Sequence, residues 1–361
     1  MAALEQTHGS WRARLRERTN DYTVTPQQYA VAAMVALISL TVIVATGAAV
    51  RLSGSGLGCP TWPKCYGNVY PPLNTHAVIE FANRVVTVPI SIATGAAWLL
   101  ALRRRPYRRD LAWIGGLLPL GVVGQAVLGG FTVKGELDYG WVMGHFALSM
   151  LILLAAVVLL WRARQGLEAE DGGVGAQAVA APAQAAAVEE QAADRGLVRP
   201  LWGLVGLGAV TIFAGTAATA AGPHAGGSPG QKINRLSFDG RGTMDFVIHR
   251  HAEIALAFSL AAVGVWFLAR RRGASQELRR PLTVLCSLLA LQGIVGLDQY
   301  ATHLPTQLVW VHVCLACGAW LATLWAACVA GALLPRRLPS GRKRRPDGPL
   351  RSSAPIEFPG N

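Results

Sequence analysis

At 361 residues, with a net charge of +13, 52% hydrophobic residues and only 15% charged ones, the chain carries too many long apolar runs for an ordinary soluble enzyme. The positive charge could suit nucleic acid. Its placement at the ends of apolar runs points instead to a membrane surface and argues against a nucleic-acid partner.

Residues 1–28 form a basic tail without the apolar stretch of a cleavable signal. Arg12 to Arg18 faintly mimics a transit peptide, but Glu5, Glu17 and Asp21 oppose that reading, and the first span is expected to serve as its own uncleaved signal. A helical crossing of the bilayer core takes about 20 apolar residues. Eight stretches qualify: Tyr29 to Val50, Val78 to Leu102, Leu111 to Phe131, Trp141 to Trp161, Leu201 to Ala221, Asp245 to Ala269, Pro281 to Leu297 and Thr306 to Leu334. With the N-terminus inside, the clusters Arg12–Arg18, Arg103–Arg109, Arg162–Arg199, Arg270–Arg280 and Arg336–Arg351 all fall on one side, which takes 25 of the 33 Lys and Arg. The positive-inside rule then places both termini in the cytoplasm.

The expected fold is an all-α integral membrane protein, eight transmembrane helices arranged as two pseudo-symmetric four-helix bundles. The first bundle occupies 29–164, a flexible cytoplasmic linker 165–198, the second bundle 199–335 and a basic tail 336–361. The linker is rich in Ala, Gly and Gln with scattered acids, Asp194 among them. Its stretch GGVGAQAVAAPAQAAA lacks large apolar residues and contains Pro182, and a ninth span there would invert the charge pattern of everything after it. The second half repeats the first. Gly47 and Gly54 recur as Gly215 and Gly222 at an offset of 168, and Gln125, Gly129 and His145 recur as Gln292, Gly296 and His312 at an offset of 167. Four spans per half, an even number, give repeats of the same orientation, related by an axis along the membrane normal.

Under this repeat Asn83 matches His251, and His145 matches His312. Histidine inside a membrane helix is costly unless paired or functional, and two on neighbouring helices can hold a haem iron from both faces. Isolated histidines bonded between helices are the bland alternative. His249 competes with His251, and the repeat offset favours His251. Glu80 matches Ile248, so its carboxylate exists in the first half alone. On the second span Glu80, Asn83 and Arg84 share a face at i, i+3 and i+4. A Glu80–Arg84 ion pair is one reading, and a proton acceptor or charge stabiliser beside a cavity is the other. Cys59 and Cys65, with five residues between them in an outer loop, read first as a disulfide in an oxidising compartment. Cys314 and Cys317 form a CxxC inside an apolar helix, which reads as small-residue packing. His76 reads either as a partner of a haem propionate or as a plain loop residue, and Arg51, Arg235, Arg241 and Arg250 are candidates to receive propionates; His224 and His303 are expected to be solvated loop residues.

With GAAVRLSGSGLGCPTWPKC after the first span, IEFANR opening the second, and QAVLGG followed by His145 in the third and fourth, the chain resembles the haem A synthase family, membrane enzymes that convert haem O to haem A for terminal oxidases. The resemblance covers all eight spans. It implies a permanent haem b between His251 and His312, and a substrate haem O near His145 in a pocket with Asn83 and Arg84. Glu80 is implied as the catalytic acid residue in the oxidation of a ring methyl through an alcohol to a formyl group. Glu80 would accept a proton from attacking water or stabilise positive charge; both roles stay open. The Cys59 and Cys65 pair would brace the outer loop or exchange electrons. The resemblance further implies location in the plasma membrane with the haem sites toward its outer face, and partners in haem O synthase and a terminal oxidase. One departure is plain: the family commonly has EF, one residue, then HR, and here that histidine is Asn83. The expectation is that His145 alone holds the substrate iron. A diheme b-type electron carrier and a haem transporter or assembly factor without chemistry are the rival readings.

Overall fold

A computed structural model describes residues 22–175, 189–228, 230–238 and 242–333. The basic clusters Arg12–Arg18 and Arg336–Arg351, the middle of the linker and Arg241 lie outside the described residues. Eight long helices follow in order: α1 Pro26–Leu52, α2 Thr75–Arg103, α3 Arg109–Lys134, α4 Tyr139–Gly175, α5 Val198–Ala221, α6 Thr243–Arg271, α7 Gln276–Ala301 and α8 Thr306–Val329. All eight are long and apolar enough to cross a membrane, and they overlap the eight expected spans.

The helix starts follow from local chemistry. Thr25 and Gln28 close a capping box on α1 with Pro26 in the first turn, so two otherwise unpaired amides are satisfied reciprocally. Asn74 Oδ1 accepts from Ala77 N–H at 2.8 Å to start α2, and Ser275 accepts from Leu278 N–H to start α7. Large apolar side chains such as Val31, Ile38, Trp113, Leu120, Ile294 and Leu297 remain exposed. In water such a surface would be a liability. Against lipid tails it is the expected solvent-facing side, while the backbone polar groups stay paired within each helix.

Each half closes into a ring. Helix α1 packs on α2, α2 on α3, α3 on α4, and α4 returns to α1; α5 to α8 repeat the same circuit. The halves meet where α4 packs on α8, with α8 also against α1 and α4 against α5. Exchanging the halves turns the α1–α8 contact into the α5–α4 contact, as a two-fold relation requires. At this seam the buried Trp320 donates its indole N–H to Met150 O at 3.1 Å, and Trp161 meets Trp325 edge-on with centroids 5.6 Å apart.

Beyond the seam the α1–α2 and α5–α6 loops interlock. Arg51 at the end of α1 donates to Thr219 O and His224 O, supplying partners for carbonyls at the end of α5. Gly56 N–H donates to Gly226 O at 2.8 Å, and Ser228 Oγ donates to Gly54 O. Gly54 has a φ of +68°, and a Cβ there would come within 2.9 Å of Gly227 O, so both the turn and the approach of the second half require glycine.

The linker differs from the expectation in two respects. Helix α4 runs on to Gly175 rather than ending near Trp161; residues 162–165 and 167–170 are helix formers and no proline intervenes before Pro182. At the far end residues 189–195 are helical, and Asp194 is buried. Its carboxylate accepts from Ser275 N–H at 2.9 Å and Ser275 Oγ at 2.7 Å. Asp194 thus docks the end of the linker onto the α6–α7 turn.

Replacing Trp320 by Phe keeps the ring in the seam but removes the bond to Met150. A loss of about 1 kcal/mol is expected, read as a lower denaturant midpoint for the full chain in detergent micelles.

Candidate functional site

The first two turns of α2 lie beneath the loop 56–67, and a shared hydrogen-bond system joins them. Glu80 is 7% exposed. Its Oε2 accepts from Cys59 N–H at 2.7 Å, while its Oε1 pairs with the Arg84 guanidinium. Arg84 also donates to Cys59 O and Thr61 O, each at 3.1 Å, and to Pro63 O at 3.3 Å. The Trp62 ring covers that guanidinium, 5.1 Å from centroid to Cζ. The acid and the cation at the mouth of α2 therefore do more than pair: together they satisfy backbone groups of a loop that has no regular structure of its own.

That loop is closed by a disulfide between Cys59 and Cys65, as the sequence suggests, and both cysteines are buried. Gly58 lets the loop press onto α2, since a Cβ there would fall 2.1 Å from His76 O. Ser55 Oγ and His76 Nδ1 lie 2.9 Å apart, which engages His76 with the loop. Trp62 reaches across to α3, where its ring lies 2.7 Å from where a Gly130 Cβ would stand. Trp62 was not singled out from the sequence. Its place in CPTWPKC beside two prolines was the available signal.

In the second half the structure brings His251 and His312 together. Their ring centroids are 6.2 Å apart, and Nδ1 of each is buried without a hydrogen-bond partner. Two imidazoles binding one iron from opposite faces, each with a metal–nitrogen bond of about 2 Å, hold their centroids about 6 Å apart. The donor set and its spacing fit a haem iron. Gly215 and Gly296 flank the rings, with their would-be Cβ atoms 3.0 Å from His251 Cε1 and 3.4 Å from His312 Cε1. His249 lies elsewhere: it is exposed, its Nδ1 is 2.7 Å from Asp245 O, and its ring meets Tyr300 edge-on.

The first half reproduces one side of this arrangement. Gln125 donates to His145 O at 3.0 Å, as Gln292 donates to His312 O at 3.1 Å. Gly129 faces His145 Cε1 at 3.6 Å, as Gly296 faces His312. His145 Nδ1 is buried and unpartnered. The two glutamines and two glycines, visible in the sequence only as repeat markers, thus act as the seat of the histidine on α4 and on α8. At the position that matches His251 in the repeat, Asn83 Oδ1 is also buried without a partner. Asn83 makes no hydrogen bond with Glu80 or Arg84, although the three share a helix face. Among the described residues no cluster of three or more His, Cys, Asp or Glu could hold a bare metal ion.

Three of the arginines considered for propionates are engaged within the protein. Arg51 ties the two halves together, Arg235 donates to Pro223 O at 3.4 Å, and Arg250 pairs with Glu253. His224, expected to be solvated, is instead half-buried with Nε2 at 2.6 Å from Leu304 O. His303 is an exposed turn residue with a φ of +64°.

Replacing Glu80 by Ala leaves Cys59 N–H unpaired and Arg84 without its counter-ion. Exchange of the Cys59 amide with deuterium is expected to accelerate about tenfold, read by peptide-level mass spectrometry of the loop.

The family model for the cytochrome oxidase assembly protein matches residues 30–78 and 73–329. A protein of Shewanella oneidensis named "Heme A synthase" is 26% identical over 304 residues, 77% of this chain and 89% of that protein. A "Heme A synthase" of Lysinibacillus sphaericus is 35% identical over 131 residues, 36% of this chain and 42% of that protein. A "Protoheme IX farnesyltransferase" of Thermus thermophilus is 27% identical over 296 residues, 78% of this chain. The chain spans less than half the length of the latter two relatives, 42% and 45% respectively.

Proposed function

Because the chain belongs to the cytochrome oxidase assembly protein family, we propose that it is a haem A synthase, an enzyme of haem A biosynthesis acting on haem O. The observation that carries this reading is the asymmetry between two otherwise matched halves. The first has a buried carboxylate, Glu80, and one histidine, His145, at the two repeat-matched positions; the second has two facing imidazoles, and Ile248 where the carboxylate would be.

In this reading His251 and His312 hold a permanent haem b, whose chemistry when bound is one-electron transfer. Haem O is the substrate of the first half, seated on His145. One of its ring methyls is oxidised to an alcohol and then to the formyl group of haem A, gaining an oxygen atom from an attacking water and losing four electrons and four protons overall, with the electrons passing to an external one-electron acceptor. Glu80 is held by Cys59 N–H and Arg84, which fixes its position before substrate arrives. Each carboxylate oxygen has two lone pairs, so Glu80 can still accept a hydrogen bond or proton, or stabilise positive charge developing nearby. Arg84 positions Glu80 and the loop above it. The disulfide braces that loop over the first half.

The distribution of Lys and Arg supports a plasma-membrane protein with both termini cytoplasmic and the haem sites toward the outer face. A haem O synthase would supply the substrate and a terminal oxidase would receive the product.

The test is to express the full chain beside a source of haem O, as wild type and as Glu80→Gln, then extract and separate the haems. Wild type is expected to yield haem A or its alcohol. Glu80→Gln is expected to lose about a hundredfold of product while retaining haem b. Unconverted haem O in wild type, with both sites filled, would leave the electron-carrier or transport reading in its place.

A further inference from the structure

This inference rests on the first half being the substrate-haem pocket, and concerns what that pocket does with the iron. The internal repeat gives the comparison. In the second half the Gly215 position lies 3.0 Å from His251 Cε1, so an imidazole fills the space between α5 and α6 next to its partner on α8. In the first half the equivalent of His251 is Asn83, and the equivalent of Gly215 is Gly47, where an added Cβ would meet nothing within 4 Å. His145 on the other side keeps the seat of His312, with the same glutamine and glycine contacts. One ligand is thus retained and the other replaced by a side chain shorter than an imidazole, with room beside it.

Asn83 is no inert filler of that room. Its Oδ1 is buried and unpartnered, and a buried amide oxygen left unpaired costs about 1–3 kcal/mol. An amide oxygen is a weak ligand for a haem iron, but it can accept a hydrogen bond from a small molecule bound there, and its amide group can donate one. Chain geometry adds a second point: Glu80 and Arg84, the charged members of the same helix face, are turned to the loop 59–65, so neither supplies the missing ligand.

We infer that a haem in the first half is held by His145 alone, and that its opposite face is an open coordination position for a small exogenous ligand, water or a diatomic molecule, lying beside Asn83. The two haem sites of one chain then differ in kind. The second is closed by two imidazoles and excludes added ligands. The first admits them.

Carbon monoxide is the probe. The full chain is purified with both haems bound after expression beside a haem O source, reduced, and exposed to carbon monoxide, with ferric spectra recorded in parallel. About half of the haem is expected to bind carbon monoxide, and the other half to remain low-spin and unreactive. His145→Ala is expected to lose the reactive half. Asn83→His is expected to convert it to a second low-spin, unreactive haem, and Asn83→Ala to preserve carbon monoxide binding. The low-spin signal of the His251–His312 site, present in every variant, reports that each has folded. Two unreactive low-spin haems in wild type overturn the inference, as does a single bound haem that ignores carbon monoxide, or reactivity unchanged in Asn83→His. The enzymatic reading is judged separately by haem extraction from the same samples. Conversion of haem O with two closed sites sinks the inference alone, whereas an open site without conversion sinks the enzymatic reading alone.

Discussion

In hydrocarbon a backbone amide or carbonyl has no water to turn to, so irregular chain is confined to the ends of spans or to places where side chains supply its partners. The end of this protein that carries the α1–α2 and α5–α6 loops is built around that requirement. Glu80 and Arg84 satisfy the loop 59–65 from below; Arg51 satisfies carbonyls of the second half from the first. The residues best able to do chemistry are therefore also the ones that hold the loops in place. Altering Glu80 or Arg84 therefore disturbs a scaffold as well as a site.

Much of this was legible in the sequence. Span count, orientation of the repeat and the correspondence of His145 with His312 all follow from apolar run length and an offset shared by several residues. Selection of His251 over His249 needed only the register, and the geometry places His251 opposite His312 and His249 against Tyr300. What escaped the sequence depends on contacts between distant segments. Nothing local marks Arg51 as a bridge rather than a propionate cation, because its acceptors lie 168 and 173 residues away. Asp194 looked like one linker acid among several until Ser275, 81 residues on, supplied two donors. Trp62 belongs to the same class, since its packing surface on Gly130 is contributed by another helix.

The two halves also show how one architecture supports different uses. The ring of four helices, the glutamine bonded to the carbonyl of the histidine, and the glycine beneath the imidazole are common to both. Among the differences that bear on the site are an amide for an imidazole at Asn83, a carboxylate for an apolar residue at Glu80 and a cation for Ala252 at Arg84. The disulfide loop belongs to the first half only.

The clasp between the outer loops bears on how charge could move through the molecule. Arg51, Gly54 and Gly56 grip the second half at the level of the outer helix ends, and Trp320 grips the first half deeper in the seam. Two points of attachment at different depths oppose both hinging and sliding of one bundle against the other. For cofactors carried one in each bundle, the gap an electron must tunnel across becomes a constant of the fold. Turnover would then be governed by driving force and by the arrival of substrate, without a domain motion to bring donor and acceptor together.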